Sequence, residues 1–302
     1  MKIGLIDVDG HNYPNLALMK LSAWHKEKGH NVEMFNAFDN YDKVYLSKVF
    51  TFTEDYTTVI NSTKIIKGGT GYNLTTTLPA EIERAYPDYS LYNIENTAYG
   101  YLTRGCPRNC GFCIVTKKEG SKAVKVSDLS GFWKGQKNIE LLDPNITASS
   151  DCEELFHQLV NSGSSVNFSQ GLDARLLTDK KIELLARMKI KHIHFALDHY
   201  KDKDIIISNL RKLKEKTGWY RTRISVYILT NYNTTIDQDL ERIREVKKLG
   251  FNPYVMIYNK DQAPRQIRQL QRYVNNKIIF WSKGCPSFDD YMRQEATNEP
   301  GN

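Results

Sequence analysis

Gly105-Cys106-Pro107-Arg108-Asn109-Cys110-Gly111-Phe112-Cys113 places three thiols on one short loop in the spacing C-x3-C-x2-C. Three thiolates can hold three irons of a [4Fe–4S] cube and leave the fourth iron without a protein ligand, whereas an Fe–S cluster normally takes four cysteines. An open coordination position is what separates a catalytic metal site from a closed structural one. The alternatives are a zinc knuckle or three unrelated core cysteines. Zinc takes four ligands, usually as two short Cys/His pairs, and here the fourth would have to be the distant Cys285, Cys152 or a histidine.

Outward from this loop the chain reads as six β/α units. Strands are expected at residues 99–103, 138–142, 166–170, 192–197, 223–229 and 253–258, and helices at 126–133, 151–161, 178–189, 203–216, 237–249 and 264–274. Asp151 with Glu154, and Thr178 with Asp179, put acids in first helical turns, while Gly163 and Gly250 lie just past helix ends. Six parallel units are too few for a closed eight-stranded barrel. They fit an α/β class with a partial (β/α)6 TIM-like barrel, in which ligands sit at the carboxyl ends of the strands. The cysteine loop falls at such an end. Ahead of the barrel, strands at 2–8, 32–35, 43–46 and 63–67 and a helix at 14–28 read as a small parallel α/β, Rossmann-like unit. The expected organisation is therefore a Rossmann-like domain at 1–75, a proline-marked linker at 76–97, the barrel at 98–276 and a C-terminal extension at 277–302 whose polar end is mobile.

The bulk numbers set broad limits. A chain of 302 residues that is 40% hydrophobic and 25% charged has an ordinary globular composition. No stretch approaches the ~18 apolar residues of a membrane helix, so no membrane partner is expected. The N-terminal residues 1–7 meet an acid too early for a signal peptide and read as a first strand. Five cysteines, three of them clustered, do not make a disulfide framework and point to a reducing cytoplasm. The net charge of +7, from 42 Lys and Arg against 35 Asp and Glu, is compatible with a nucleic acid or an anionic small molecule and proves neither.

The cysteine spacing, with the aromatic Phe112 before the last thiol, resembles the signature of the radical S-adenosylmethionine (radical SAM) family, and the open barrel is similar to that family's core. The resemblance implies that Cys106, Cys110 and Cys113 bind a [4Fe–4S] cluster and that SAM chelates the open iron. It implies reductive cleavage of SAM to methionine and a 5′-deoxyadenosyl radical, which takes hydrogen from substrate, with a small flavodoxin- or ferredoxin-type protein as electron donor. By the same resemblance Phe112 lies near the adenine and Asp143 near the SAM amino group. Arg175 pairs with the SAM carboxylate, and Asp198 accepts from ribose hydroxyls. Each has a plainer reading: Asp143 with Asn145 in a self-satisfied turn, Arg175 paired with Asp173, and His199 as an ordinary loop histidine.

The N-terminal unit resembles the cobalamin-binding domain that precedes many radical SAM cores. Gly68-Gly69-Thr70-Gly71 follows the fourth strand, and Asp9-Gly10-His11 is similar to the start of the motif whose histidine ligates cobalt. Pro14 stands where that motif has glycine, and the unit is short, so the alternatives are a scaffold without cobalamin or a phosphate cradle. A cobalamin-dependent methyltransferase is the enzyme alternative, and an Fe–S electron carrier the non-enzymatic one. The second cysteine cluster and RNA-binding domain of a methylthiolating member are not seen. Arg104, Arg108, Lys117, Lys118, Lys122 and Lys125 surround the cysteine loop, and Tyr99, Tyr101 and Trp133 could stack on a base. An anionic substrate, a nucleotide or a nucleic acid is the partner this suggests; a solvated basic face is the plain reading.

Overall fold

The computed structural model of the chain describes residues 1–10 and 13–298. In chain order the first unit holds β1 (Lys2–Asp7), α1 (Leu16–Glu27), β2 (Asn31–Met34), β3 (Lys43–Ser47) and β4 (Ile65–Gly68). These four strands form one parallel sheet in the order β2-β1-β3-β4. The four expected strands are present, but among the described residues α1 is the only helix that connects them. Asn15 starts α1 by accepting from Leu18 N–H at 3.3 Å.

The segment expected as a linker carries a helical turn, α2 (Ala80–Glu83), and a 3-10 turn at Tyr89–Tyr92. It is built into the structure rather than bridging open space. Ile82 is buried with Ile3, Leu5 and Leu18 of the first unit, and Tyr89 with Ala98 and Phe132 of the second.

The large sheet consists of β5 (Thr97–Gly100), β8 (Asn138–Leu141), β9 (Ser165–Leu172), β10 (Lys189–Ala196), β11 (Ile224–Thr230) and β12 (Asn252–Ile257), with the small antiparallel pair β6 (Thr103–Arg104) and β7 (Val124–Lys125) between the first two. All neighbours in the large sheet are parallel, and they follow sequence order, β5-β8-β9-β10-β11-β12. Sequential parallel strands joined by right-handed crossovers place every helix on one face. This is the winding of a barrel rather than of a doubly wound sheet. Helices α4 (Cys152–Ser162), α5 (Asp179–Arg187), α6 (Lys203–Thr217), α7 (Ile236–Lys248) and α8 (Arg265–Asn275) supply that layer, after the five-residue α3 (Val115–Glu119) in the cysteine loop. Ile139, Val166, Phe168, Ile193, Phe195, Val226 and Val255 are fully or almost fully buried against it. The Thr235–Gln238 capping box starts α7.

Each edge of the sheet is capped in part by side chains. At β5, Tyr99 N–H donates to the Tyr89 hydroxyl at 3.0 Å, and that hydroxyl donates to Phe132 O at 2.7 Å. At β12, Asn275 accepts from Val255 N–H at 2.9 Å, and Asn275 and Gln271 donate to Val255 O. Edge groups satisfied in this way are not free to pair further strands.

Two expectations are corrected. The helix expected at 126–133 is a single 3-10 turn, Leu129–Gly131, in a stretch rich in serine and glycine. Strand β10 begins at Lys189, where a helix was expected to end. In the C-terminal extension, α9 (Lys277–Phe280) and α10 (Phe288–Asn298) follow α8, and Phe280, Cys285, Phe288 and Tyr291 join the main core. No helix among the described residues is long and apolar enough to cross a membrane.

Candidate functional site

The cysteine loop leaves β6 through Gly105, whose φ of +85° lies in the left-handed region. A Cβ there would stand 2.1 Å from Lys122 O, so the close crossing of the β6–β7 pair requires glycine. Cys106 N–H donates to Gly120 O at 3.1 Å, Thr116 Oγ1 to Cys106 O at 3.2 Å, and Cys113 N–H to Cys110 O at 2.9 Å. Asn109, at φ +48°, makes the turn between the first two thiols. Arg104 anchors the base by pairing with Glu83 and Glu119, both at 3.1 Å, with its guanidinium over the Tyr101 ring.

Cys106, Cys110 and Cys113 are all free and partly exposed. Among the described residues no group of three His, Cys, Asp or Glu side chains converges as ligands of one ion would. A cube-shaped cluster asks for something else: each thiolate meets a different iron, so the thiols must be spread along a loop. Cys152 and Cys285, the candidates for a fourth protein ligand, lie in the hydrophobic core. Burial raises the Cys152 thiol to about 12, so it stays protonated and a poor ligand. The donor set therefore fits a cluster held by three thiolates.

The structure places each predicted SAM contact at a strand end, with partners of its own. The Asp143 carboxylate is buried after β8 and accepts from Leu102 N–H at 3.1 Å, from Thr103 N–H, and from Thr103 Oγ1 at 2.7 Å. Burial raises it to about 6 against these hydrogen bonds. Its side chain thus clamps the backbone that leads into the cysteine loop. Arg175 donates to Asp173 through Nε at 2.8 Å and to Asp202 at 2.9 Å. Arg108 of the cysteine loop joins the same network, reaching Asp202 at 3.1 Å and Asp173 at 3.5 Å. Asp198 accepts from Leu229 N–H at 3.2 Å and is raised by burial to about 6. Phe112 packs between the ends of β10 and β11, with ring centroids 5.9 Å from His199 and 5.1 Å from Tyr232. The loop thus spans the carboxyl ends of the strands.

Two further residues stand beside these: Asn145, read from the sequence only as part of a turn, and Arg242, which the sequence did not single out. Asn145 Nδ2 lies 3.4 Å from Cys106 Sγ, an N–H···S contact, while its carbonyl accepts from Thr147. Arg242, fully buried on α7, donates to Leu197 O, Asp198 O and Leu229 O at 2.6–2.9 Å and pairs with Asp239. It ties the ends of β10 and β11 together. Nothing in an amphipathic helix pattern marks such an inward arginine.

The basic group around the loop is largely engaged. Arg104 and Arg108 are paired as above, Lys125 pairs with Asp128 and Glu154, and Lys118 donates to Thr70. Trp133 donates to Gln136 O and Ser164. In the first unit, Cβ atoms on Gly69 and Gly71 would stand 2.3 Å and 3.0 Å from Lys48 O. The space these glycines clear is filled by the chain's own backbone rather than left for a cobalamin tail. Asp9 accepts from Val49 N–H, and His11 lies outside the described residues.

No family model matches the chain. A tRNA-2-methylthio-N(6)-dimethylallyladenosine synthase of Aquifex aeolicus (strain VF5) is 28% identical over 184 residues, which is 51% of this chain and 41% of that protein. Among solved structures, SuiB of Streptococcus suis bound to its precursor peptide SuiA is 14% identical, with a TM-score of 0.45 over 69% of this chain and 49% of that one. SuiB bound to S-adenosylmethionine is 15% identical, with a TM-score of 0.43 over 69% of this chain and 48% of that one. The chain spans less than half the length of each. The three-thiol loop and the curated match together support a likeness to the radical SAM superfamily. That family's cofactors are a [4Fe–4S] cluster and S-adenosylmethionine.

Proposed function

We propose that the chain is a radical SAM enzyme. The observation that carries this reading is the three-thiol loop, stapled across the carboxyl ends of an open parallel sheet with no fourth cysteine beside it. Cys106, Cys110 and Cys113 would hold the cluster. When bound, the cluster and SAM supply one-electron cleavage of the sulfonium and abstraction of a hydrogen atom from substrate. The chain's own residues orient and shield. Asp143 fixes the strand that enters the loop, and Asn145 offers its amide to the Cys106 sulfur. The Arg108–Asp173–Arg175–Asp202 network ties the loop to the ends of β9 and β10. Arg175 reaches a SAM carboxylate only by giving up part of that network, and Asp198, held near the end of β10, remains the acceptor for ribose hydroxyls. Phe112 is the ring placed for the adenine. A small flavodoxin- or ferredoxin-type protein would deliver the electron, in a reducing cytoplasm that keeps the five cysteines as thiols.

The relative's name specifies a tRNA adenosine as the group that protein modifies. For this chain a nucleic-acid or nucleotide substrate is a proposal supported by that name and by the net charge of +7. The test is anaerobic reconstitution with iron and sulfide, addition of dithionite and SAM, and mass-spectrometric assay of 5′-deoxyadenosine. The reading expects deoxyadenosine from the unsubstituted chain and none from Cys110→Ala. Product from Cys110→Ala, or none from a fully loaded chain with any donor or candidate substrate, overturns it.

A further inference from the structure

The amide of Asn145 has one orientation, and its neighbours fix it. Asn145 and Thr147 follow the end of β8 and are only 4% and 1% exposed, so both must find partners inside the protein. Asp173 N–H, just past β9, donates to the Thr147 hydroxyl at 3.2 Å. The hydroxyl proton in turn has Asn145 Oδ1 at 2.9 Å, a closer acceptor than Asp173 O at 3.5 Å. Hydrogen bonding thus decides which side of the amide is carbonyl. The N–H side follows: Nδ2 lies 3.4 Å from Cys106 Sγ and also faces the buried Asp173 carboxylate.

The sulfur is held as well. Cys106 N–H donates to Gly120 O, and Cys106 O accepts from Thr116, so the thiol moves only about its own χ1. A neutral thiol is a weak acceptor, and it would leave one Asn145 N–H poorly paired in a buried place. A thiolate is a charged acceptor and pairs it well. The Arg108 guanidinium, held between Asp173 and Asp202, approaches the Cys110 thiol in the same manner. Two of the loop's three thiols therefore face N–H donors from side chains outside the thiol set, and Asp173 stands behind both donors.

We infer that Asn145 is a positioning residue that acts through Cys106 to raise the reduction potential of the bound cluster. The inference rests on the radical SAM reading and deepens it: it concerns how readily that site accepts its electron. Hydrogen bonds to the sulfurs are among the factors that set an Fe–S potential. Reduction adds one electron, taken from the external donor, and no proton, so the sulfurs become more negative. An N–H donor is worth more against the greater charge, and Asn145 stabilises the reduced form more than the oxidised one. Thr147 contributes by keeping the amide turned toward the sulfur.

The test is an EPR-monitored redox titration of the reconstituted chain without SAM, with iron per chain counted in the same samples. Asn145→Leu keeps the volume and removes the donor. It should load iron as the unsubstituted chain does and have a reduction equilibrium about 10-fold less favourable, a fall of about 59 mV for one electron. Thr147→Val leaves Asn145 in place but frees its amide to turn, and should shift the potential the same way by less. A merely structural Asn145 would lower iron loading and leave the potential of the loaded fraction where it was; that result overturns the inference, and so does a rise. Where Asn145→Leu takes up no cluster, Thr147→Val decides, and an unchanged potential there overturns the inference. Adding SAM to the same preparations keeps the two readings apart. A cluster whose g-values respond to SAM but whose potential is indifferent to both substitutions sinks the role of Asn145 alone, and an unsubstituted chain that takes up no cluster sinks both.

Discussion

Replacing Asp143 by asparagine separates a clamp from a cofactor contact. The carboxylate receives Leu102 N–H, Thr103 N–H and Thr103 Oγ1, all buried. In the asparagine variant Oδ1 can keep the two Thr103 donors, but Nδ2 then faces Leu102 N–H, donor against donor. An orphaned buried donor costs about 1–3 kcal/mol, and losing charge assistance on the remaining bonds about 1 more. The expected loss is therefore about 2–4 kcal/mol, a large part of an ordinary folding stability. Asp143→Ala, which orphans all three donors, should lose more. Urea unfolding of the metal-free chain measures the loss, and iron content after reconstitution reports whether the loop still assembles. The expected result is a lower unfolding midpoint at unchanged m, with reduced iron loading. Full stability and full iron, with only SAM affinity lost, would refute the clamp.

Other substitutions test separate parts of the account. Gly105→Ala meets both a left-handed φ and Lys122 O, and should cost about 3 kcal/mol or more in urea unfolding; an unchanged midpoint contradicts the tight crossing. Arg242→Leu leaves Asp239 buried without its partner, a loss of about 3–5 kcal/mol; Arg242→Leu with Asp239→Leu should recover much of it, and no recovery would mean that the backbone carbonyls matter more than the pair. Asp198 titrates near 6 in the fold because burial disfavours its charge. Its contribution is fully present below the ordinary carboxyl value near 4 and is lost as pH rises through about 6. The stability of the unsubstituted chain relative to Asp198→Asn should therefore fall over that window, by up to about 3 kcal/mol; a flat difference refutes it.

The cysteine loop was legible because thiols are few and their spacing is chemical rather than structural. The six strands were legible because β-branched and aromatic runs between helical patterns carry the parallel sheet directly, and all six appear within a few residues of where they were expected. The face that each strand presents was not. The register shifts of β9 and β10 decide that His192 and His194 line the open face, and no period in the sequence announces a bulge. Arg175 had two readings, a SAM-carboxylate contact and a pair with Asp173; the pair is present, but sequence does not show that Asp202, 27 residues away, folds back onto it too. Gly69 and Gly71 looked like a ligand turn because glycine marks close approach without saying to what; here the neighbour is Lys48. The basic residues suggested an anionic substrate until Arg104, Arg108 and Lys125 proved to be paired.

The central claim is that three thiolates leave one iron open to SAM. The most direct measurement is the EPR spectrum of the reduced, reconstituted chain with and without SAM. The account predicts about four irons per chain and a signal whose g-values shift when SAM is added. A reduced cluster whose spectrum is indifferent to saturating SAM would mean that its fourth iron is already held by the protein, and the chain would be an electron carrier instead.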